Sequence, residues 1–159
     1  MTWMPHVTVA TVIENQGRFL VVEEESLSLD YLVINQPAGH VEANETLIEA
    51  AIRETLEETA WHVEVTHLQG IYTYTPPNDP DCTYYRFCFA ATGLHHDSTR
   101  TLDTGIHRAV WMTLDELKDS GRARSPLVLR CMEDALKGQK FPLDLIYEQA
   151  LFSNPATTP

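Results

Sequence analysis

Apolar and polar residues alternate in the first part of the chain, which is the period of a β-strand. Residues 6–14 are rich in Val and Thr, and a second apolar run, 19–22, follows a turn signal at 15–17. We predict that these two runs pair as neighbouring strands. Residues 31–34 predict a third, shorter strand, and the Pro and Gly of residues 35–40 predict an irregular loop after it.

A helical spacing replaces this alternation in residues 46–59. Thr46 and Glu49 fit a capping box there, and apolar residues recur every three or four positions behind it. Residues 113–116 form a second capping box, and Ser125-Pro126 places a cap and a proline at the start of a third helix. We therefore predict one central helix and two late ones.

The middle of the chain predicts a long β-hairpin. Two β-rich runs, residues 63–75 and 83–92, are separated by residues 76–81, which are dense in turn formers. Residues 95–103 are polar and predict an exposed loop, and 108–112 predict a short strand. The strand-rich chain with a helix in the middle and two at the end is typical of an α/β domain.

Length and composition favour one domain. A chain of 159 residues that is 43% apolar can bury one core, so we expect a single domain over 1–152 and a flexible tail over 153–159, where Pro and Thr dominate. The formal charge of −12 disfavours nucleic acid as a partner. No segment approaches the ~20 apolar residues that span a bilayer, and no leader pattern is present, so we expect a cytoplasmic protein without a membrane partner.

The three cysteines change this interpretation little. Cys82, Cys88 and Cys131 are an odd number without a short metal-binding spacing. We expect small buried residues in a reducing compartment, and no zinc site.

Three carboxylates stand on one edge of the central helix. Glu54, Glu57 and Glu58 fall within one arc beside the apolar stripe, where each like-charged pair costs roughly 0.2–0.5 kcal/mol. A divalent cation would turn this repulsion into binding, and hard oxygen ligands suit Mg²⁺ or Mn²⁺. A solvated acidic helix face is the alternative that a Glu pair by itself would favour.

The spacing around these acids is more specific than the acids themselves. It resembles the Nudix box, whose fixed residues are matched at the right intervals by Gly39, Glu45, Arg53, Glu54, Glu57 and Glu58. The sequence departs from the family pattern at three positions. Thr55 and Trp61 replace aliphatic residues, and Ala60 replaces the closing glycine, at a cost of about 1 kcal/mol to the helix stop.

The resemblance implies a role for each matched residue. Arg53 would orient the glutamates through Glu45, Glu49 or Glu57, although a plain salt bridge between Glu45 and Arg53 explains that pair equally well. The implied metal ligands are three side chains and one carbonyl, those of Glu54, Glu57, Glu58 and Gly39.

The implied reaction is attack of water on phosphorus in a phosphoanhydride, helped by the cation. The resemblance leaves the general base open. Glu57 or Glu58 is our first choice, and Asp97, Asp103 or His107, in or near the polar loop, are the alternatives. Each of these three is otherwise ordinary solvated surface.

The resemblance extends beyond the box. Residues 6–10, 19–24, 35–40 and 124–128 are similar to NudJ-type Nudix phosphatases. This similarity implies an α/β/α sandwich around a mixed sheet. It also implies release of phosphate from nucleoside diphosphates and triphosphates, and action on the pyrimidine pyrophosphate that precedes thiamine.

Four residues are our candidates for binding the substrate: Asn35, Gln36, Tyr74 and Arg86. Amide and aromatic groups can hold a flat heterocycle, although tyrosines are also common as half-buried strand residues. An arginine inside an apolar strand run is costly to bury, so Arg86 should meet an anion, either a substrate phosphate or an internal carboxylate.

Other functions remain open at this point. A Nudix pyrophosphatase for ADP-ribose or another nucleoside diphosphate derivative is the enzymatic alternative. A Nudix-fold domain that binds a nucleotide without cutting it is the non-enzymatic one, and the intact set of acids argues against it. The sequence allows both a monomer and a homodimer.

Overall fold

The computed structural model describes residues 2–149, in which five strands precede the first helix and three more strands precede the remaining helices. The strands are β1 (His6–Val12), β2 (Glu14–Asn15), β3 (Arg18–Glu24), β4 (Val33–Asn35), β5 (Ala38–His40), β6 (Trp61–Tyr74), β7 (Tyr84–His96) and β8 (Ile106–Met112). The helices are α1 (Leu47–Thr59), α2 (Leu114–Ser120), α3 (Pro126–Leu136) and a 3₁₀ turn, α4 (Leu143–Leu145). The expected tail at 153–159 lies outside the described residues.

The strands form two sheets. The first has the order β5-β1-β7-β6 and is mixed, because β1 is parallel to β7 while the other pairs are antiparallel. In the second, β3 pairs antiparallel with β2, β4 and β8.

Helices cover both sides of these strands. Neighbouring strand residues point to opposite sides, so Val9 and Leu20 pack in the core beneath α1, while Phe19 lies in the core beneath α2 and α3. Leu117 and Met132 are the side chains of those two helices that close this second core. The predicted α/β/α sandwich around a mixed sheet is confirmed.

The predicted pairing of the first two strand runs is confirmed only next to the turn, where Glu14 pairs with Phe19, and is wrong for the rest of the first run. Only β2 pairs with β3 in that hairpin, whereas β1 lies in the other sheet between β5 and β7. From Thr8 to Val12 every residue of β1 is buried, which is the burial of a central strand covered on both faces. An alternating sequence could not reveal these two distant neighbours.

The predicted loop at 35–40 is also partly wrong. Its last three residues form β5, in which Gly39 pairs with Val9 of β1. Pro37 precedes this strand, so the backbone N–H that proline lacks is not needed in the sheet. The strand predicted at 31–34 begins later, at Val33, and Tyr31 is exposed.

The predicted helices and the long hairpin are confirmed. Thr46 and Thr113 make the capping boxes of α1 and α2, and α3 begins at Pro126, although the Ser125 side chain makes no capping hydrogen bond. The hairpin of β6 and β7 is longer than predicted and extends to His96, into the segment predicted as a polar loop.

Helix α1 ends on a left-handed residue, as the family pattern requires, but that residue is Ala60. Its φ is 60°, and its N–H donates to the carbonyl of Leu56 at 2.9 Å. Gly121 occupies the same position after α2 with a φ of 63°. Ala60 therefore bears the conformational cost that a glycine avoids.

The prediction for the cysteines is partly confirmed. Cys88 and Cys131 are buried as expected, but Cys82 is partly exposed, and all three are free thiols.

Within residues 2–149, no helix has the length and apolar character needed to cross a bilayer.

Candidate active site

Strand β5 and helix α1 bring the two ends of the box together. The backbone of Gly39 lies against the Glu54 carboxylate, and a Cβ at residue 39 would come within about 2.2 Å of that group. A side chain at residue 39 would therefore have to displace the Glu54 carboxylate, while the backbone angle of Gly39 is not special. The arrangement also places the Gly39 backbone beside the acids of α1, as the resemblance implied.

Arg53 organises the acids around it. Its Nε and Nη2 donate to the two carboxylate oxygens of Glu45 at 2.9 and 2.7 Å, and Nη1 donates to Glu54 at 2.8 Å and Glu57 at 3.0 Å. Nη2 also donates to the carbonyl of His40 at 3.0 Å. The hydrogen bonds from Arg53 lower the pKa of Glu45. Arg53 thus ties together three acids and the strand that carries Gly39.

Glu49, a possible partner of Arg53, acts elsewhere. Its carboxylate accepts from the backbone N–H of Thr46 at 2.8 Å and completes the capping box of α1. The remaining two predicted partners, Glu45 and Glu57, both contact Arg53.

Glu58 is the most buried acid of the box. It is 7% exposed, and its Oε2 accepts from the backbone N–H of Ala38 at 3.0 Å. Burial raises the pKa of Glu58 to about 9, and the nearby charges of Glu24, Glu54 and Asp103 add to the rise. Burial likewise raises the pKa of Glu54, against the opposing effect of Arg53. Without a cation, the raised pKa therefore favours the protonated, uncharged form of Glu58 at neutral pH.

A pocket of about 530 Å³ lies beside this cluster. Gly39 and His40 line it on the side of the box, and Asn35, Tyr74 and Arg86 line it further in. Three of the four predicted substrate residues therefore share one pocket. Strand β5 connects the box to the pocket, because Gly39 lies against Glu54 and also lines the pocket.

Gln36, the fourth predicted substrate residue, does not line this pocket. It is fully buried, its amide nitrogen donates to the carbonyl of Thr11 at 3.3 Å, and its amide oxygen accepts from Arg86 Nη1 at 3.2 Å. Its position behind Arg86 makes it a support for the guanidinium.

The sequence of this chain matches a known family and its members. The family model of the NUDIX domain matches residues 3–131. The chain belongs to the Nudix family. It is also 38% identical to Phosphatase NudJ of Escherichia coli strain K12 over 142 residues, which cover 89% of this chain and 90% of that relative. The Shigella flexneri Phosphatase NudJ is similar to the same extent.

Solved structures agree with the family. A NUDIX hydrolase from Nitrosomonas europaea is 41% identical and superposes with a TM-score of 0.87 over 92% of this chain and 99% of that one. A structure titled UDP-X diphosphatase, 16% identical with a TM-score of 0.68 over 88% of this chain and 66% of that one, shows the fold alone. This Nudix chain is a hydrolase that acts on phosphoanhydrides.

Nudix hydrolases generally use a divalent metal, and the acids of this chain fit one. Glu54, Glu57 and Glu58 offer hard carboxylate oxygens, and a bound cation would supply the buried Glu58 with the partner that its charged form lacks. Within residues 2–149, no three His, Cys, Asp or Glu side chains already converge as a metal-binding group. The reason is local, because Arg53 holds Glu54 and Glu57 while Ala38 holds Glu58.

The three alternative general bases lie in different surroundings. Asp103 donates its backbone N–H to the Glu57 carbonyl at 2.9 Å, and its charge acts on both Glu54 and Glu58. Asp97 accepts hydrogen bonds from Thr99, and His107 lies 3.3 Å from the exposed Glu25. Asp97 also donates its backbone N–H to the Ala60 carbonyl, but of the three residues it is Asp103 whose charge acts on Glu54 and Glu58.

Two residues of the site were absent from the sequence-based prediction. Glu24 is buried at the end of β3 and accepts from Arg124 Nη1 at 2.8 Å, and both side chains line the pocket. A signal existed for each, since Glu24 ends a strongly apolar strand and Arg124 is one of only 11 basic residues. Their pairing across 100 positions was not visible.

Proposed function

We propose that this Nudix hydrolase uses Mg²⁺ to release phosphate from nucleoside diphosphates and triphosphates, or from a pyrimidine pyrophosphate. The observation that carries the proposal is the continuity of the acidic box with a pocket lined by Asn35, Tyr74 and Arg86. The similarity to the NudJ phosphatases over most of the chain supports the same substrates. Mn²⁺ could replace Mg²⁺ at the same oxygens.

The site residues divide into two groups. We assign cation binding to the Glu54, Glu57 and Glu58 carboxylates and to the Gly39 carbonyl, and when bound the cation would neutralise phosphate charge and acidify a water. Arg53 holds Glu54 and Glu57 on one side of α1, and Glu45 in turn holds Arg53, so both are positioning residues.

The chain's own acids receive the proton. As the water oxygen bonds to phosphorus, the bridging P–O bond breaks and the leaving oxygen keeps that electron pair. We assign the water proton to Glu57 or Glu58, with Asp103 as the second choice because it borders the same acids. The products are phosphate and the shortened phosphate ester.

The test measures orthophosphate and pyrophosphate release from nucleoside diphosphates, triphosphates, ADP-ribose and pyrimidine pyrophosphates, with and without Mg²⁺. We expect Mg²⁺-dependent orthophosphate release from the diphosphates and triphosphates. Turnover of ADP-ribose alone would contradict the proposed substrates. Ligand binding without any turnover would identify a sensor and contradict catalysis altogether.

A further inference from the structure

We propose that Asn35 and Arg86 select the organic part of the substrate, a nitrogen heterocycle that carries both an N–H donor and an acceptor. This inference rests on the proposed function in that it concerns the same pocket. It assigns Arg86 to the heterocycle, whereas the sequence alone suggested a phosphate or an internal carboxylate. The phosphates would then lie toward the box.

The first observation concerns Arg86. This residue is 9% exposed, its Nη1 donates to the neutral amide oxygen of Gln36 at 3.2 Å, and its buried Nε has no acceptor within residues 2–149. A guanidinium presents its N–H groups in one plane, which suits a planar acceptor. Arg86, which lines the pocket, therefore keeps one enclosed donor that no acceptor in the described part of the chain satisfies.

The second observation concerns Asn35, at the end of β4. It is 5% exposed, and its buried side-chain oxygen Oδ1 receives no hydrogen bond from the described residues. A carbonyl oxygen accepts from an N–H or O–H group but repels the oxygens of a phosphate. A pocket built only to hold phosphate would gain nothing from such an unused oxygen in its wall.

Both residues line the same pocket, and between them they hold one unused donor and one unused acceptor enclosed in its wall. Amino-substituted and keto-substituted nitrogen heterocycles carry both complementary groups in one plane. Tyr74 lines the same pocket and offers such a ring an aromatic face. Buried polar groups left without a partner are unfavourable, so a ligand that satisfies both is preferred over one that satisfies neither.

Sugar hydroxyls also combine a donor with an acceptor, so the experiment must distinguish binding of the heterocycle from binding of the sugar. Its first arm measures binding without metal by calorimetry, using adenosine, cytidine, N6,N6-dimethyladenosine, ribose 5-phosphate and inorganic pyrophosphate. We expect a nucleoside with an exocyclic amino group to bind, and loss of the N–H donor on methylation to weaken binding at least tenfold. Equal binding of the methylated analogue would overturn the proposal.

The second arm uses Asn35→Leu and Arg86→Met, with Arg100→Met on the exposed loop after β7 as the matched control. Both pocket variants should lose at least tenfold in nucleoside affinity, and the control should not. If Arg86→Met instead weakens pyrophosphate alone, or both variants weaken ribose 5-phosphate as strongly as the nucleosides, the inference is wrong. Melting temperatures verify folding, and the wild-type analogue series decides the matter if a variant does not fold.

The third arm compares kcat/KM for CTP and its N4,N4-dimethyl analogue in the wild type. We expect at least a tenfold preference for CTP, which Asn35→Leu should abolish. Hydrolysis without this preference would contradict only the present inference. Absence of all hydrolysis would contradict the proposed function, while the binding arms would still test the selection of the heterocycle.

Discussion

One arginine of this chain lies among the acids of the box and another lines the pocket, and the two have different partners. Arg53 donates to Glu45, Glu54 and Glu57, so its charge is matched by the chain itself. Arg86 is more deeply buried, donates to a neutral amide and keeps Nε without an acceptor in the described residues. The difference teaches that the chain itself organises the box, whereas the pocket keeps an unused donor that, under our proposal, a ligand satisfies.

The largest expected effect falls on the box. Glu58→Gln removes a buried carboxylate that we assign to the cation and to proton transfer, and we expect kcat to fall by about 10²–10⁴-fold. Phosphate release under saturating Mg²⁺ measures it. Glu64→Gln, an exposed acid on β6, is the matched control and should keep full activity. Normal turnover by Glu58→Gln would remove Glu58 from the reaction.

The next prediction tests whether the planar guanidinium of Arg53 is needed to organise the acids. A lysine keeps the charge but cannot hold Glu45, Glu54 and Glu57 together, so Arg53→Lys should lower activity or metal affinity by about 10–100-fold. Measuring both kcat and the Mg²⁺ concentration that gives the half-maximal rate separates a loss of activity from a loss of metal affinity. Arg130→Lys on α3, whose arginine contacts Asp134 alone of the acids in residues 2–149, is the control. Equal loss in both variants would contradict a special role for Arg53.

A third prediction concerns Mg²⁺ and pH. Because the pKa of Glu58 in the folded chain is raised to about 9 from 4.5, the contribution of Glu58 to the stability of the metal-free protein is fully present below about pH 4.5 and is lost as pH rises toward 9. Mg²⁺ at about 100 times its Kd should restore about 2.7 kcal/mol, roughly 5–10 °C in Tm.

The pH dependence of this stabilisation distinguishes the site from an acidic surface. The gain in Tm on adding Mg²⁺ should be larger at pH 8 than at pH 5, because protons compete for the same carboxylates. Thermal melts of the wild type and of Glu58→Gln measure it. An equal gain in both proteins would mean that the cation binds elsewhere.

A fourth prediction concerns the support behind the pocket. Gln36→Leu removes the acceptor that holds Arg86 Nη1, at 3.2 Å, and we expect KM to rise about tenfold with a smaller change in kcat. Gln139→Leu, at another amide that bonds the backbone, is the control for stability. A fall in kcat with unchanged KM would instead place Gln36 in the organisation of the box.

The smallest effect separates the structure of the box helix from its chemistry. Ala60 has a φ of 60°, so Ala60→Gly should raise the free energy of unfolding by about 0.5–1 kcal/mol, less the entropy that glycine adds to the unfolded chain. Denaturant unfolding measures the gain, and kcat should not change. A loss of stability would show that the buried methyl group of Ala60 matters more than its backbone angle.

Local signals explain why part of this fold could be predicted. Thr46 with Glu49, and Thr113 with Glu116, lie three positions apart, so each pair satisfies its own helix terminus whatever the rest of the chain does. The spacing from Gly39 to Glu58 likewise predicted which acids share an edge of α1. The pairing of β1 could not be predicted, because β5 and β7 compete with β3 as partners of equal local character.

By itself, the sequence determined the helices, their capped starts, the order of the box residues and the phosphoanhydride chemistry that this order indicates. Only the tertiary structure decided that residues 38–40 form a strand and that Glu24 meets Arg124. It also decided that Gln36 supports Arg86 and that Asp103, not Asp97 or His107, borders the acids. The physical reason is range, since helix caps and motif spacings act within a few residues, whereas burial and charge at the pocket arise from side chains up to 100 positions apart.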